Sequence, residues 1–182
     1  MRIEQSINAI LEAIGEDPSR EGLQETPERV ARMYQELFSG VGQDPQDAID
    51  AVFESENEDP VVIGNVPFYS MCEHHLLPFY GQAHLAYIPN GKIAGLSKLV
   101  RALEVASRRL QVQERLTGQV ADAIFSALNP HGVAVEFEAE HFCMSMRGVQ
   151  KPGSRVVTIA VRGRFEACAI DREGLLALLH RR

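Results

Sequence analysis

The N-terminal part of the chain alternates apolar and polar residues at helical spacing. Five apolar residues recur at spacings of three or four positions: Ile3, Ile7, Ile10, Leu11 and Ile14. This spacing places them on one face of an amphipathic helix. A second helix is predicted to start near Pro27, since proline suits a first helical turn. Asp44 and Pro45 open a third, short helix in the same way.

After residue 60 the pattern becomes that of strands, and two helical segments interrupt it before the strands resume. Alternating or β-branched stretches predict strands over 61–70, 82–89, 132–143 and 155–165. Between the second and third strands, apolar residues at helical spacing predict two helices, and Asp171 caps a last one. The order is three helices, then ββααββ, then one helix, which defines an α+β protein. We expect an N-terminal helical region over 1–60 and a catalytic region over 61–182, within one compact domain overall.

Composition and charge restrict the location and the partners. The chain has 182 residues and a net charge of −7, which disfavours nonspecific nucleic-acid binding. No apolar run approaches the roughly 20 residues that span a bilayer. The N-terminus has mixed polarity and lacks the apolar stretch of a signal peptide. We therefore expect a cytoplasmic protein that binds neither membrane nor nucleic acid.

Three cysteines, Cys72, Cys143 and Cys168, cannot all form pairs, and a reducing cytosol disfavours disulfides. Cys168 lies between two alanines and fits a small buried side chain. The other two cysteines have histidines nearby, which raises the alternative of metal ligands.

The residue types around Cys72 and Cys143 suit a zinc ion. Cys72 and His75 lie three residues apart in Ser70-Met71-Cys72-Glu73-His74-His75, and Cys143 supplies a third ligand. Two cysteines and one histidine leave a fourth position open, as in catalytic zinc sites. Chemistry alone does not choose between His74 and His75. A fourth protein ligand, His74 or His141, would instead close the site and make it structural.

A second candidate cluster lies at the predicted start of the helix after Gly95. Ser97 and Lys98 place a hydroxyl and an ammonium at a helix N-terminus, with Arg101 one turn on. Such a position attracts anions, although a serine cap with solvated basic neighbours would look the same. The polar segment 111–117, which contains Glu114, joins the two central helices and could read a base edge.

Taken together, these segments closely resemble the GTP cyclohydrolase I family. The matching stretches are SMCEHH (70–75), AYIP (86–89), GLSK (95–98), QVQERLT (111–117) and EHFCMSMRG (140–148), with ETPERVARMY (25–34) upstream. They cover most of the chain in the family's order. Their combination is specific, whereas any one stretch alone is not.

The resemblance implies a role for each site residue. Cys72, His75 and Cys143 would be the zinc ligands, and His74, His141 and Ser97 would be acid–base groups. Glu114, with Gln113 beside it, would read the guanine. The triphosphate would be held by Lys98, Arg101 and Arg147, and by Arg29 from a neighbouring subunit.

The resemblance also implies the fold, the assembly and the reaction. The fold would be the tunnelling fold, assembled as a toroidal homodecamer with active sites between subunits. The substrate would be GTP, opened hydrolytically at C8 to give formate and 7,8-dihydroneopterin triphosphate. We expect no regulatory protein partner, because the chain starts close to its first helix whereas some family members carry a longer N-terminal region linked to regulation.

Two alternatives stay open from the sequence. One is another tunnelling-fold enzyme that acts on a pterin or a deazapurine. The other is a nucleotide-binding regulatory module whose zinc is purely structural. The native metal also stays open, since Fe²⁺ could occupy a site of this kind.

Overall fold

The computed structural model describes residues 2–163 and 170–179. The chain forms two compact units, Met1–Ser39 and Gly40–Arg182. Cys168 and the predicted end of the last strand at 164–165 lie outside the described residues.

The first unit is a helix pair. Helix α1 spans Arg2–Ala13 and helix α2 spans Thr26–Leu37, and the two pack against each other. Pro27 is buried in the first turn of α2, where its missing N–H costs no helical hydrogen bond. The aromatic rings of Tyr34 and Phe38 meet edge to face at 5.2 Å.

The second unit is built on a five-stranded sheet, and the class is α+β as predicted. Its strands, with those of a separate two-stranded sheet, are β1 (Val52–Glu54), β2 (Val61–Cys72), β3 (Pro78–Ile88), β4 (Lys92–Ala94), β5 (Leu110–Gln111), β6 (Gly132–His141) and β7 (Val156–Gly163). The large sheet has the order β5-β2-β3-β6-β7, and its four long strands are antiparallel neighbours. Strands β1 and β4 form the small sheet, and a 3-10 helix, Pro45–Ala48, precedes β1.

Two long helices cover one face of the large sheet. Helix α3 spans Leu96–Ser107 and helix α4 spans Gln113–Leu128, and their apolar faces complete the main core. Within that core Phe68 packs edge to face against Phe79 and Phe137, at centroid distances of 6.0 and 4.7 Å. Each such pair contributes about 0.5–1.5 kcal/mol beyond the area that it buries.

A last helix, α6 (Arg172–Leu179), lies over the opposite face of the sheet. Leu175 and Leu179 are buried there against Ala86, Ile88 and Ala134. The carboxylate of Asp171 accepts a hydrogen bond from the backbone N–H of Gly174 at 2.8 Å, so the predicted cap is confirmed.

Two predicted boundaries are wrong near the candidate site. Pro78 begins strand β3, which therefore starts four residues earlier than predicted. Strand β6 ends at His141, and Cys143 lies in the short helix α5, Phe142–Ser145. The backbone N–H of Met146 donates to Phe142 O at 3.1 Å and closes this helical turn. Cys143 therefore lies outside the strand, although the apolar pattern placed it within the predicted strand 132–143.

No helix among the described residues is long and apolar enough to cross a membrane.

Candidate metal centre and anion-binding groups

The turn that follows β2 presents the first two candidate ligands. The backbone N–H of Cys72 donates to Leu77 O, and the N–H of Leu76 donates to Cys72 O, both at 2.9 Å. Leu76 has a φ of 53°, which is uncommon for a residue with a side chain. Arg115 anchors the turn to helix α4 by contacting both carboxylate oxygens of Glu73, at 2.5 and 3.0 Å.

Cys72, His75 and Cys143 converge at this end of the sheet. The Sγ atom of Cys72 lies 3.6 Å from Nδ1 of His75, and the three ligand atoms all lie within 4.8 Å of one another. Ligands bonded tetrahedrally to one zinc are separated by roughly 3.3–3.8 Å. Small side-chain adjustments would therefore bring all three onto one ion. The donor set, two thiols and one imidazole, fits zinc.

His74 is not part of this group. Its Nδ1 lies 4.0 Å from Sγ of Cys72, and its ring packs edge to face against that of His75. The geometry therefore favours His75 over His74 as the ligand, a choice that residue chemistry alone left open.

The electrostatics of the cluster bear on metal binding. Local desolvation lowers the pKa of His75, and the charges of Arg147 and His74 lower it further. The imidazole is therefore neutral at physiological pH, the form that binds a metal. Burial raises the pKa of Cys143, and the adjacent Cys72 sulfur raises it further.

His141 lies at the end of β6, beside the cluster. Its ring stacks on Phe79 with a centroid distance of 4.6 Å and an interplanar angle of 2°. Its Nε2 lies 2.7 Å from Oε1 of Gln113. Burial lowers the pKa of His141, while the negative charge of Glu114 opposes that shift. Glu114 itself is exposed in the first turn of α4.

The candidate anion-binding residues form a separate group at the start of α3. Lys98 forms an ion pair with Asp50, and Arg101 is close enough to influence that carboxylate. Ser97 is exposed beside them. Arg147, by contrast, lies close to His75 and Cys143.

A single copy of the chain does not bring Lys98 to the metal cluster. The last residue of α3, Ser107, accepts a hydrogen bond from Ser70 Oγ at 2.7 Å, near the Cys72 end of β2. The other end of α3 follows Ala94, whose N–H donates to the hydroxyl of Tyr87, a residue paired with Val61. A helix of this length, 12 residues, separates its ends by about 18 Å. The two candidate groups thus lie at opposite ends of β2.

Arg29 lies in helix α2 of the first unit, where its guanidinium pairs with the carboxylate of Glu25. Sequence reasoning did not find two neighbours of the site residues. Asp50 was one acid among many in the stretch 44–59, and Phe79 carried no signal apart from its apolar character. Cross-strand pairing of Phe79 with His141 is visible only in the register of β3 and β6.

The fold and the site define an α+β protein with a candidate metal centre of two cysteines and one histidine. The family model for GTP cyclohydrolase I matches residues 3–180. Two curated relatives named GTP cyclohydrolase 1, from Geobacillus kaustophilus and Carboxydothermus hydrogenoformans, are each 58% identical over 179 residues. These matches cover 98% of this chain, and 95% and 93% of the two relatives. A third relative of that name, from Streptococcus mutans, is 56% identical over 180 residues, covering 98% of this chain and 94% of its own length.

The chain therefore belongs to the GTP cyclohydrolase I family. Among solved structures, the archaeosine synthase QueF-Like in its apo form matches 57% of this chain and 93% of its own, with 19% identity and a TM-score of 0.46.

Proposed function

We propose that this protein is a GTP cyclohydrolase that opens the imidazole ring of GTP at C8, releases formate and forms 7,8-dihydroneopterin triphosphate. The observation that carries the proposal is the convergence of Cys72, His75 and Cys143 beside His141. The relatives named GTP cyclohydrolase 1, which match along 95% and 93% of their own length, support the assignment.

The metal in this proposal is zinc, held by Cys72, His75 and Cys143. Zinc bound there supplies the Lewis acidity that activates water for attack at neutral pH. The carboxylate of Glu73, fixed by Arg115, holds the ligand turn in place.

His141 and Glu114 act on the purine. Glu114 is exposed at the start of α4, where its carboxylate can accept hydrogen bonds from the N–H groups of the guanine. In its protonated form His141 delivers a proton to N7, which makes C8 more electrophilic, and the ring is left neutral. His74, exposed beside the cluster, and Ser97 move protons during the ribose rearrangement that follows ring opening.

The triphosphate is held and not cleaved. Lys98, Arg101 and Arg147 supply its cationic contacts, with Arg29 contributed by another subunit. Such contacts fix the orientation of the substrate and do not catalyse phosphoryl transfer.

The separation of Lys98 from the metal cluster supports a site shared between copies of the chain. One copy would supply the metal, and its neighbour would supply the start of α3. Among the described residues, no strand pairs with the outer edge of β7 or with the outer edge of residues 61–70 of β2. Unpaired edges can join to other copies. We propose the tunnelling fold for 61–182, a toroidal homodecamer and a cytoplasmic location.

The first experiment incubates the purified protein with GTP and measures formate and pterin fluorescence, with and without a chelator. We expect both products in equal amounts, lost on chelation and restored by zinc. Restoration by Fe²⁺ alone would change the metal, not the reaction. Tight GTP binding without formate would instead favour a nucleotide-binding module with structural zinc.

The second experiment tests the shared site by mixing inactive variants. Cys143→Ala lacks a metal ligand, and Lys98→Ala lacks a phosphate contact. After dissociation and reassembly together, some sites combine a metal-bearing copy with an intact α3. We expect partial recovery of activity in the mixture and none in either variant alone. No recovery, with mixed oligomers verified by mass, would contradict the shared site.

A further inference from the structure

The side chain of Gln113 is surrounded by groups of its own chain. It is 1% exposed. Its Nε2 lies 3.0 Å from Phe137 O, 2.9 Å from Val156 O and 3.1 Å from Thr158 Oγ1. Two of these three partners are backbone carbonyls, which can only accept. The amide must therefore turn its NH₂ group toward strands β6 and β7, and the opposite orientation is excluded.

Two threonine hydroxyls complete this arrangement. Thr117 Oγ1 donates to the backbone carbonyl of Gln113 at 2.7 Å. This hydrogen bond uses the only proton of the Thr117 hydroxyl. In the 2.6 Å contact between the two hydroxyls, Thr158 must then be the donor. The oxygen of Thr158 remains available to accept from the amide of Gln113. The two amide protons of Gln113 are shared among its three acceptors, and the proton of each threonine hydroxyl has one acceptor.

The fixed amide determines the state of His141. Oε1 of Gln113 can only accept, and it lies 2.7 Å from Nε2 of His141. Nε2 must therefore carry a hydrogen, which leaves Nδ1 as the lone-pair nitrogen of the neutral ring. Stacking on Phe79, which is fully buried, fixes the plane of the same ring. The imidazole is restrained in both its orientation and its tautomer.

We propose that Gln113 is a positioning residue that acts through His141, holding the ring so that Nδ1 is the nitrogen available to the substrate. This inference rests on the proposed function and changes one part of what the family resemblance implies. Gln113 does not read the guanine with Glu114, because both ends of its side-chain amide are occupied within the chain. Glu114 reads the base without help from the neighbouring side chain.

Steady-state kinetics of Gln113→Met test the proposal. Methionine has a similar length and no strong hydrogen-bonding group. We expect kcat to fall about 100-fold, the loss typical of a misplaced catalytic group, while KM changes less than about threefold. The double variant Gln113→Met/His141→Ala should be no slower than His141→Ala, because the two residues act as one unit. A raised KM in Gln113→Met, with losses of kcat that multiply in the double variant, would show that Gln113 contacts the substrate directly. That result would overturn the proposal.

Thr117→Val is the matched control for a purely structural role. Thr117 is also buried, and it lies one turn further along α4. Its replacement removes two hydrogen bonds of the network but leaves all contacts of the Gln113 side chain. We expect a loss of stability with kcat within about threefold of the unmodified chain. A loss of kcat equal to that of Gln113→Met would mean that general loosening causes both effects, and would overturn the proposal.

A spectroscopic measurement tests the tautomer without any turnover. Solid-state ¹⁵N spectra of ring-labelled histidine distinguish the two neutral tautomers, and His141→Ala identifies the signal. The Nε2–H form is expected in the unmodified chain, and a mixture of tautomers in Gln113→Met with unchanged metal content. An Nδ1–H form in the unmodified chain would overturn the inference even if Gln113→Met did not fold. Absence of formate release with the expected tautomer would refute the proposed function alone.

Discussion

The ammonium of Lys98 lies 2.5 Å from Oδ1 of Asp50, in the loop between the 3-10 helix and β1. Lys98 is the more buried partner, with 19% of its side chain exposed against 62% for Asp50. The hydrogen bond from Lys98 lowers the pKa of Asp50, and the charges of Lys98 and Arg101 lower it further. Asp50 is therefore ionised at neutral pH. In the proposed function, a phosphate of the substrate competes with this carboxylate for Lys98.

Asp50→Asn should therefore strengthen substrate binding. Loss of the competing negative charge is expected to lower KM for GTP about two- to fivefold, the size of effect typical of an exposed ion pair. Asp47→Asn is the matched control, since it removes an equal charge from the exposed neighbouring helix. KM measured at low and moderate salt decides the point. An equal effect of both variants would assign the change to net charge and not to Lys98.

Glu114→Ala should impair base recognition far more than it affects the fold. Glu114 is exposed, so we expect the free energy of unfolding to change by less than about 0.5 kcal/mol. The kcat/KM for GTP should fall by about 100-fold or more, because a polar group that reads the base is lost. Competition between GTP and ATP measures the preference. Glu104→Ala removes an exposed carboxylate from α3 as a control, and an unchanged preference in Glu114→Ala would refute the role.

Metal affinity should fall as the pH falls. The pKa of Cys143 is raised by burial and by Cys72, so the thiol is protonated at neutral pH and must lose its proton to bind a metal. The pKa of His75 is lowered, so this ring already binds in its neutral form. Below the raised thiol pKa, each displaced proton weakens binding by about tenfold per pH unit.

Competition with a chromophoric chelator at pH 6, 7 and 8 measures this dependence. We expect the zinc Kd to rise steadily as the pH is lowered. Cys143→Ala should bind more weakly at each pH, with a shallower dependence because one proton fewer is displaced. A Kd that does not change across this range would argue against thiolate ligands.

Two glycines should respond in opposite directions to alanine. Gly118 lies in α4, and a Cβ there would meet Arg162 Nη2 at an ordinary 3.6 Å. Gly118→Ala should stabilise the protein by about 0.5–1 kcal/mol through helix propensity.

A Cβ on Gly81 would lie 1.8 Å from Glu138 O in the adjacent strand. Gly81→Ala should cost more than about 3 kcal/mol, because two paired strands must separate. Urea unfolding midpoints compare the two, and equal midpoints would contradict the packing described.

The elements of the fold were predictable where one period persisted. The helices α3 and α4 carry long apolar stripes, and the alternation of Val133, Val135 and Phe137 indicated a strand whose apolar side chains are buried. The end of β6 was not predictable, because Phe142 and Cys143 continue the apolar pattern while the backbone turns into a helix. The short strands β1, β4 and β5 have only two or three residues each, too few for a period to show.

The residue types indicated which side chains form the site, but they did not indicate which groups those side chains contact. Cysteine and histidine at short spacing indicated a metal, and the structure brings Cys72, His75 and Cys143 together. The surroundings of Gln113 depend on carbonyls of β6 and β7, which are distant in sequence and chemically identical to all other carbonyls. No sequence pattern identifies them.

The two cysteine ligands enter the metal centre from strands that are not neighbours. Cys72 ends β2 and Cys143 follows β6, with β3 between them. A zinc ion held by both cysteines would link the end of β2 to the end of β6, on either side of β3. The complete ligand set exists only when these three strands are paired, so tight metal binding would require the folded sheet. During synthesis, tight metal binding would thus mark chains whose sheet has already closed.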